Sequence, residues 1–391
     1  MIMKYLVKAL ISLYDLLPVR CSVKSNEILL VFGGVIGDSV LFCDFLRGIK
    51  EMFPVLEGYH ITIYTTSGAA AVLTAYTDGF RIVTVDFRRL NTDYGYHKQI
   101  ITELQKVGYD IAINPFPAHS NEADSLMMKA RASRKVQLVP EGGYCLSTLE
   151  KMNNSIIREK ILFELNEHEL ERYGQVLKYL GYSDFKVKIP VLPPLKDYHP
   201  KFEIKKKYCV LAIGGSTPCK QWPGSRFSQV ANYIHDNYQY DIVLTGGKGE
   251  EHILDDIKPY LGDGVSVHSL IGETSLIDLV EIIRGAVLLV GNDSSSVHIA
   301  VAVETKAICV VGGWDNGRMY PYKVDEVSAT GILPVYVDKP MPCFNCARHE
   351  IGFGNRVCQE KKKNKQVYPC VDEISIEDVL SAVDHVLCDQ N

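Results

Sequence analysis

Residues 27–52 read EILLVFGGVIGDSVLFCDFLRGIKEM, and the order of residue types in that stretch sets the fold class. Glu27 to Phe32 is a short apolar run of the kind that forms a strand buried on both faces. Gly33-Gly34 breaks the run, and from Asp38 to Met52 the apolar residues Val40, Leu41, Phe45, Leu46 and Ile49 recur at helical spacing. A strand, a tight glycine turn and a helix are therefore expected. Runs at HITIYT (60–65), RIVTVD (81–86) and YDIAINP (109–115) alternate with helical stretches such as Thr92 to Gly108, which is the βαβ rhythm of a parallel sheet. Between Lys186 and Lys207 four prolines and seven lysines interrupt it, so a domain boundary is expected near residue 200. The rhythm then resumes at YCVLAIGG (208–215), YDIVLTGG (240–247), AVLLVGND (286–293) and KAICVVGG (306–313), each ending in Gly or Asp. The expected divisions are a helix at 1–20, one doubly wound α/β domain at 21–195, a second at 205–372 and a closing helix at 373–391. Ligands of open parallel sheets bind outside the carboxyl ends of the strands. Every glycine-bearing element falls there, so two such domains facing each other would share one cleft.

A chain of 391 residues exceeds what one core serves, and two domains of roughly 150 to 200 residues are the default. With a net charge of −5, 47% apolar and 23% charged residues, disorder and a basic nucleic-acid-binding surface are both excluded as readings. The 11 cysteines are spread through a long chain and read as mostly reduced and cytosolic.

The first twenty residues, MIMKYLVKALISLYDLLPVR, do not read as a signal peptide, because Lys8 and Asp15 interrupt the apolar stretch and Pro18 and Arg20 close it. At about 100° per residue, Lys4, Lys8, Ser12 and Asp15 share one flank and leave Leu6, Leu10, Leu13, Leu16 and Leu17 on a wide apolar face. That face is expected to pack on the protein's own body or to lie in an anionic membrane interface, with an uncleaved targeting signal as the third alternative.

Four strand ends carry residues suited to chemistry. In FGGVIGDSVL (32–41), Gly33, Gly34 and Gly37 allow close backbone approach to a ligand, and Asp38 starts a helix, where it either serves chemistry or caps the helix. The spacing is not that of a dinucleotide fingerprint. In IGGSTPCKQWPGSRF (213–227), Gly215, Ser216 and Lys220 suit a phosphate, although the segment is not a P-loop and Lys220 alone would be an ordinary surface lysine. In GNDSSSVHIA (291–300), Asp293, Ser294, Ser295 and Ser296 begin a helix whose N–H groups and dipole favour an anion; His298 by itself would be a core histidine. The fourth, VGGWDNGRMYPY (311–322), holds Asp315, Arg318 and Tyr322 after a glycine turn.

In this order the segments resemble glycosyltransferase family 9, the ADP-heptose:lipopolysaccharide heptosyltransferase family. The opening (L/G)GxGD form is met by Gly34, Gly37 and Asp38, and PGxxxxxKxWPxxRF by Gly215, Lys220, Trp222, Pro223, Arg226 and Phe227. Gly291, Asn292, Asp293 and His298 meet GNDTGxxH, while Gly313, Asp315, Arg318, Pro321 and Tyr322 meet FGPTDPxRxxPY. Ile213-Gly214 departs from the family's Asn-Pro, and Ser295 stands where the family has Gly. The resemblance implies a GT-B fold of two Rossmann-like domains. It implies an inverting transfer of heptose from ADP-heptose to a lipopolysaccharide-core or related lipid-linked acceptor, by a monomer in the cytoplasm or peripheral on the inner membrane.

Such a transfer needs a base for the acceptor hydroxyl and stabilisation of the departing diphosphate. Asp38 is the expected base, and Lys220 with the start of the 294–296 helix the expected diphosphate grip, with Arg226, His298 and Arg318 nearby. Glu250 or Glu251, after the TGGKG turn with Gly246, could accept from ribose hydroxyls. No two aspartates are spaced Asp-x-Asp, so catalysis without a metal or other cofactor is expected. Cys343, Cys346, Cys358 and Cys370 are spaced C-x₂-C-x₁₁-C-x₁₁-C and are either a structural zinc set or plain reduced thiols. A nucleotide-sugar epimerase and an inactive nucleotide-sugar-binding protein remain as alternatives, and only the transferase needs an acceptor.

Overall fold

A computed structural model describes residues 2–17, 19, 26–116, 120–141, 157–164, 167–327, 331–344, 358 and 368–388. The chain divides into two compact units, Met1–Val187 and Lys188–Asn391.

The first unit contains helix α1 (Ile2–Asp15) and then β1 (Glu27–Phe32), α2 (Ile36–Met52), β2 (His60–Thr65), α3 (Ser67–Tyr76), β3 (Phe80–Thr84), α4 (Phe87–Leu90), α5 (Tyr94–Leu104), β4 (Gly108–Asn114), α6 (Asn121–Lys129), β5 (Arg131–Pro140), β6 (Glu159–Phe163) and α7 (Glu169–Leu180). Its six strands are ordered β3-β2-β1-β4-β5-β6 and every pairing is parallel. That is the doubly wound Rossmann order, with its switch point between β1 and β4. From Ile28 to Phe32 every residue of β1 is buried, because helices cover both faces of a parallel sheet. Strands β5 and β6 were not foreseen, since they lack the clean apolar run of the central strands.

In the second unit the elements are β7 (Tyr208–Ala212), α8 (Gly224–Tyr238), β8 (Asp241–Thr245), α9 (Leu254–Ile257), β9 (Val267–Ser269), α10 (Leu276–Gly285), β10 (Leu288–Asn292), α11 (Ser295–Ala302), β11 (Ala307–Val311), β12 (Val335–Asp338), α12 (Pro369–Asp372) and α13 (Ile376–Cys388). The order β12-β11-β10-β7-β8-β9 is again parallel throughout and repeats the topology of the first unit, with β7 and β10 at the switch point. The proline- and lysine-rich segment belongs largely to this unit: Leu192 N–H donates to Ala302 O at 2.9 Å, and Arg284 Nη2 to Leu192 O at 2.9 Å.

In helix α13, Val379, Val383 and Leu387 join the core of the second unit, against α8, β11 and β12. Tyr233 and Tyr238 donate to Asp384, and Lys306 Nζ donates to Val386 O at 2.8 Å, which fixes the helix along its length. Helix α1 was expected to bury its leucines if it packed on the body. It packs on α5 and α6, yet Leu6, Leu10, Leu13, Leu16 and Leu17 are exposed.

Candidate active site

In the first unit, the turn after β1 rests on an aromatic stack: the Phe32 ring lies 4.0 Å from Phe42, centroid to centroid, and 5.2 Å from Phe116. Gly34 must be glycine, because a β-carbon there would strike the Phe32 ring and lie 2.8 Å from Asp38 Cβ. Its carbonyl accepts from Thr66 Oγ1 at 2.8 Å, which ties the turn to the end of β2. Gly33 has room for a β-carbon, with Phe87 at 3.4 Å, and Gly37 is buried in the first turn of α2. Asp38, buried in the same turn, accepts from Val35 N–H at 2.9 Å through Oδ2. It thus serves the helix start whether or not it also meets an acceptor.

The second unit builds its site at the switch point. Asn292, at the end of β10, donates to Ile213 O at 2.8 Å and Gly214 O at 3.2 Å and accepts from Trp222 N–H at 3.0 Å. One buried amide thereby holds both arms of the loop after β7 against the start of α11. Glu250 takes Gly215 N–H at 3.0 Å and Gly247 N–H at 2.5 Å, bracing the loops after β7 and β8. A β-carbon at Gly214 would strike that carboxylate, with Glu250 Cδ only 2.8 Å away, which accounts for glycine where the family has proline. Gly246 sits beside the same brace, and Glu251 lies against Gly272. Ser216 is exposed at the lip of the turn.

Lys220 is not a surface lysine. It is buried, ion-paired with Asp315 Oδ2 and 3.1 Å from Asp293 Oδ2. Arg318 Nη1 approaches Asp315 Oδ1 at 3.4 Å. Burial works against the lysine's charge, but the two carboxylates outweigh it and hold its pKa above that of a free lysine. The carboxylates divide: burial also opposes charge on Asp315, but Lys220 and Arg318 reverse it and lower its pKa, whereas for Asp293 burial wins and its pKa is raised. Asp293 Oδ2 is buried and accepts no hydrogen bond despite the nearby ammonium.

Immediately after Asp293, Ser294 occupies the N-cap of α11 and its side chain makes no capping bond. The amides at the start of α11, Ser295 and Ser296 among them, are therefore left without a side-chain cap beside Lys220. His298 faces away from this opening. Its Nδ1 meets Tyr322 OH at 2.7 Å, its Nε2 meets Tyr320 OH at 3.2 Å, and its ring stacks on Tyr320 at 5.0 Å. It anchors the 311–322 loop. Arg226 also has structural partners, donating to Asp372 O and Ile374 O at 2.6 Å each, so the Trp-Pro-x-x-Arg-Phe segment pins the approach to α13. Of the four tail cysteines, Cys346 lies outside the described residues, and among the described residues no three metal-ligating side chains gather. Asp315 was missed as a site residue; the signal was its place after β11, one strand from the switch point.

Two parallel-sheet α/β units with an anion-ready helix start at the second switch point define the class as a GT-B glycosyltransferase fold. Residues 155–345 match the family Glycosyltransferase family 9 (heptosyltransferase). Lipopolysaccharide heptosyltransferase 3 of Escherichia coli strain K12 is 27% identical over 241 residues, which is 57% of this chain and 62% of that protein. Among solved structures, the family 9 glycosyl transferase of Veillonella parvula superimposes with a TM-score of 0.69 at 18% identity, covering 94% of this chain and all of that one. E. coli ADP-heptose lps heptosyltransferase II gives 0.67 at 16% identity, covering 93% and 99%. At these identities the two structures establish the fold.

Proposed function

We propose that the protein is an inverting glycosyltransferase that moves heptose from ADP-heptose onto a lipopolysaccharide-core acceptor without a metal. The observation that carries this is the meeting, at the second switch point, of the uncapped start of α11 with the buried Lys220 ammonium. Negative charge grows on a nucleoside diphosphate as the glycosidic bond breaks, and donors fixed beforehand stabilise it. The amides of Ser295 and Ser296 would take diphosphate oxygens, and Lys220 would meet one of them. Because Asp293 is the carboxylate that burial disfavours as an anion, a phosphate oxygen takes its place beside Nζ while Asp315 keeps the lysine oriented. In the first unit Asp38 removes the acceptor proton. The family match over residues 155–345 and the heptosyltransferase relatives support the donor and acceptor classes. Glu250 is spent on backbone amides, so of the two glutamates Glu251 is the one left to accept from ribose hydroxyls.

A thermal-shift panel of ADP, UDP, GDP and CMP tests the donor site. ADP at 100 times its dissociation constant should add roughly 2.7 kcal/mol. Stabilisation by UDP in preference to ADP overturns the donor assignment. Transfer should persist in EDTA; loss that Mg²⁺ restores overturns the metal-free reading.

The glycine at 214 offers a separate check. Gly214→Ala should displace Glu250 from its two amides and cost about 1–3 kcal/mol, the range for overpacking. An unchanged melting temperature would mean the brace does not hold the loop.

A further inference from the structure

Helix α1 is built inside out. Among its described side chains only Ile11 and Asp15 are buried. Asp15 Oδ1 lies 2.9 Å from His97 Nε2, and Ser125 Oγ donates to Oδ2. Lys129 Nζ donates to the last carbonyls, Tyr14 O at 2.7 Å and Leu17 O at 3.1 Å, and sits 4.3 Å from the Tyr14 ring centroid. Polar groups of α5 and α6 thus fasten the helix. The opposite side carries Leu6, Leu10, Leu13 and Leu17, at 56%, 54%, 63% and 57% exposure, spaced i, i+4, i+7 and i+11 in one stripe. Tyr5, Ala9 and Leu16 flank the stripe, and no charged residue falls in this exposed arc. Water is an unfavourable neighbour for such a surface, and a helix meant only to pack would have buried it.

We infer that this stripe docks the protein on an anionic lipid bilayer. A helix of 14 residues is about 21 Å long and shows one face of a cylinder about 10 Å across, on the order of 200 to 300 Å². A stable dimer needs about 800 Å² from each partner, so the stripe is too small for a second copy and suits an interfacial helix. Charge agrees. Residues 1–20 hold Lys4, Lys8 and Arg20 against Asp15 alone, and the carboxylate of Asp15 is held inside by His97 and Ser125, so the segment carries a net positive charge, with Lys8 half-buried beside the exposed arc. Tyr5, 68% exposed beside the leucines, is an aromatic side chain of the kind that favours a head-group interface. Among the described residues no helix is long and apolar enough to cross a membrane, so α1 lies on the surface. The inference holds whether or not the chain transfers a sugar.

Co-sedimentation of the full chain with vesicles of phosphatidylglycerol and phosphatidylcholine, against phosphatidylcholine alone, tests it. The protein should pellet with the anionic vesicles and be released by salt. Leu6→Ser/Leu10→Ser/Leu13→Ser/Leu17→Ser should lower the partition coefficient roughly a hundredfold with the melting temperature unchanged. Leu13→Glu alone, at the most exposed of the four, should lower it about tenfold and serves if the quadruple variant folds poorly. Protein that stays in the supernatant, or a folded variant that pellets like the parent, overturns the proposal. So does a dimer in sedimentation velocity that the same substitutions dissociate, since the occupant would then be a second copy.

Discussion

Asp38→Asn is expected to lower sugar transfer by about 10² to 10⁴ while leaving the ADP-induced thermal shift unchanged. Asp38 belongs to the first unit and the proposed diphosphate grip to the second, so the substitution changes none of the residues proposed to hold the diphosphate. Asparagine keeps an oxygen that accepts from Val35 N–H, and Asp and Asn serve helix starts about equally, so the fold should survive. An amide cannot take the acceptor proton. The rival account, in which Asp38 only secures the start of α2, predicts near-normal activity. The two accounts differ by orders of magnitude in one rate. A reduced thermal shift would instead locate the defect in folding or donor binding and end the assignment.

Periodicity sufficed for what the central strands dictate. EILLVF became β1 with the bounds read from sequence, and HITIYT became β2, because strands covered on both faces leave little room for polar residues. Edge strands such as β6 and β9 carry exposed and polar positions and were not legible. The site was legible as a set of loops but not as a set of contacts. A lysine after a glycine turn looks alike whether it points at solvent or at Asp293 and Asp315, because those partners lie far off in sequence and arrive by strand order. The same holds for His298, whose tyrosine partners come from the loop after β11. In α1 the amphipathic pattern was legible, but which neighbour its apolar face meets was not. A hydrophobic stripe identifies a helix face but not the neighbour that face meets, and only His97, Ser125 and Lys129 reveal that the polar side is the inner one.

Lys220→Ala is expected to cost stability as well as catalysis, which separates it from an ordinary phosphate-binding lysine. Removing the ammonium leaves Asp293 and Asp315 buried 3% and 6% exposed at the side chain, with only Arg318 nearby at 3.4 Å from Asp315. Breaking a buried pair by deleting one partner costs about 3–5 kcal/mol, which for a unit of this size lowers the melting temperature on the order of 10 °C. In the variant that still folds, kcat and kcat/KM for the donor should fall together, because the lost charge meets a diphosphate whose own charge grows in the transition state. The two aspartates should then respond in opposite directions. Asp315 has a lowered pKa, so its ionised form contributes stability above its unfolded value that is lost as pH falls; Asp315→Asn should destabilise at neutral pH. Asp293 has a raised pKa, so its ionised form is a burden once pH exceeds the unfolded value, and Asp293→Asn should leave the melting temperature at pH 7 unchanged or higher. Lys220 has a raised pKa as well, so its contribution is complete below the unfolded lysine value and fades as pH rises through the folded one. A parent protein that loses stability above about pH 10.5 more steeply than Lys220→Ala would show this lysine charged and held by its carboxylates. Identical melting temperatures for the parent and Lys220→Ala would mean that the ammonium is not holding the two carboxylates, and both the triad and its exchange with a diphosphate would fall together.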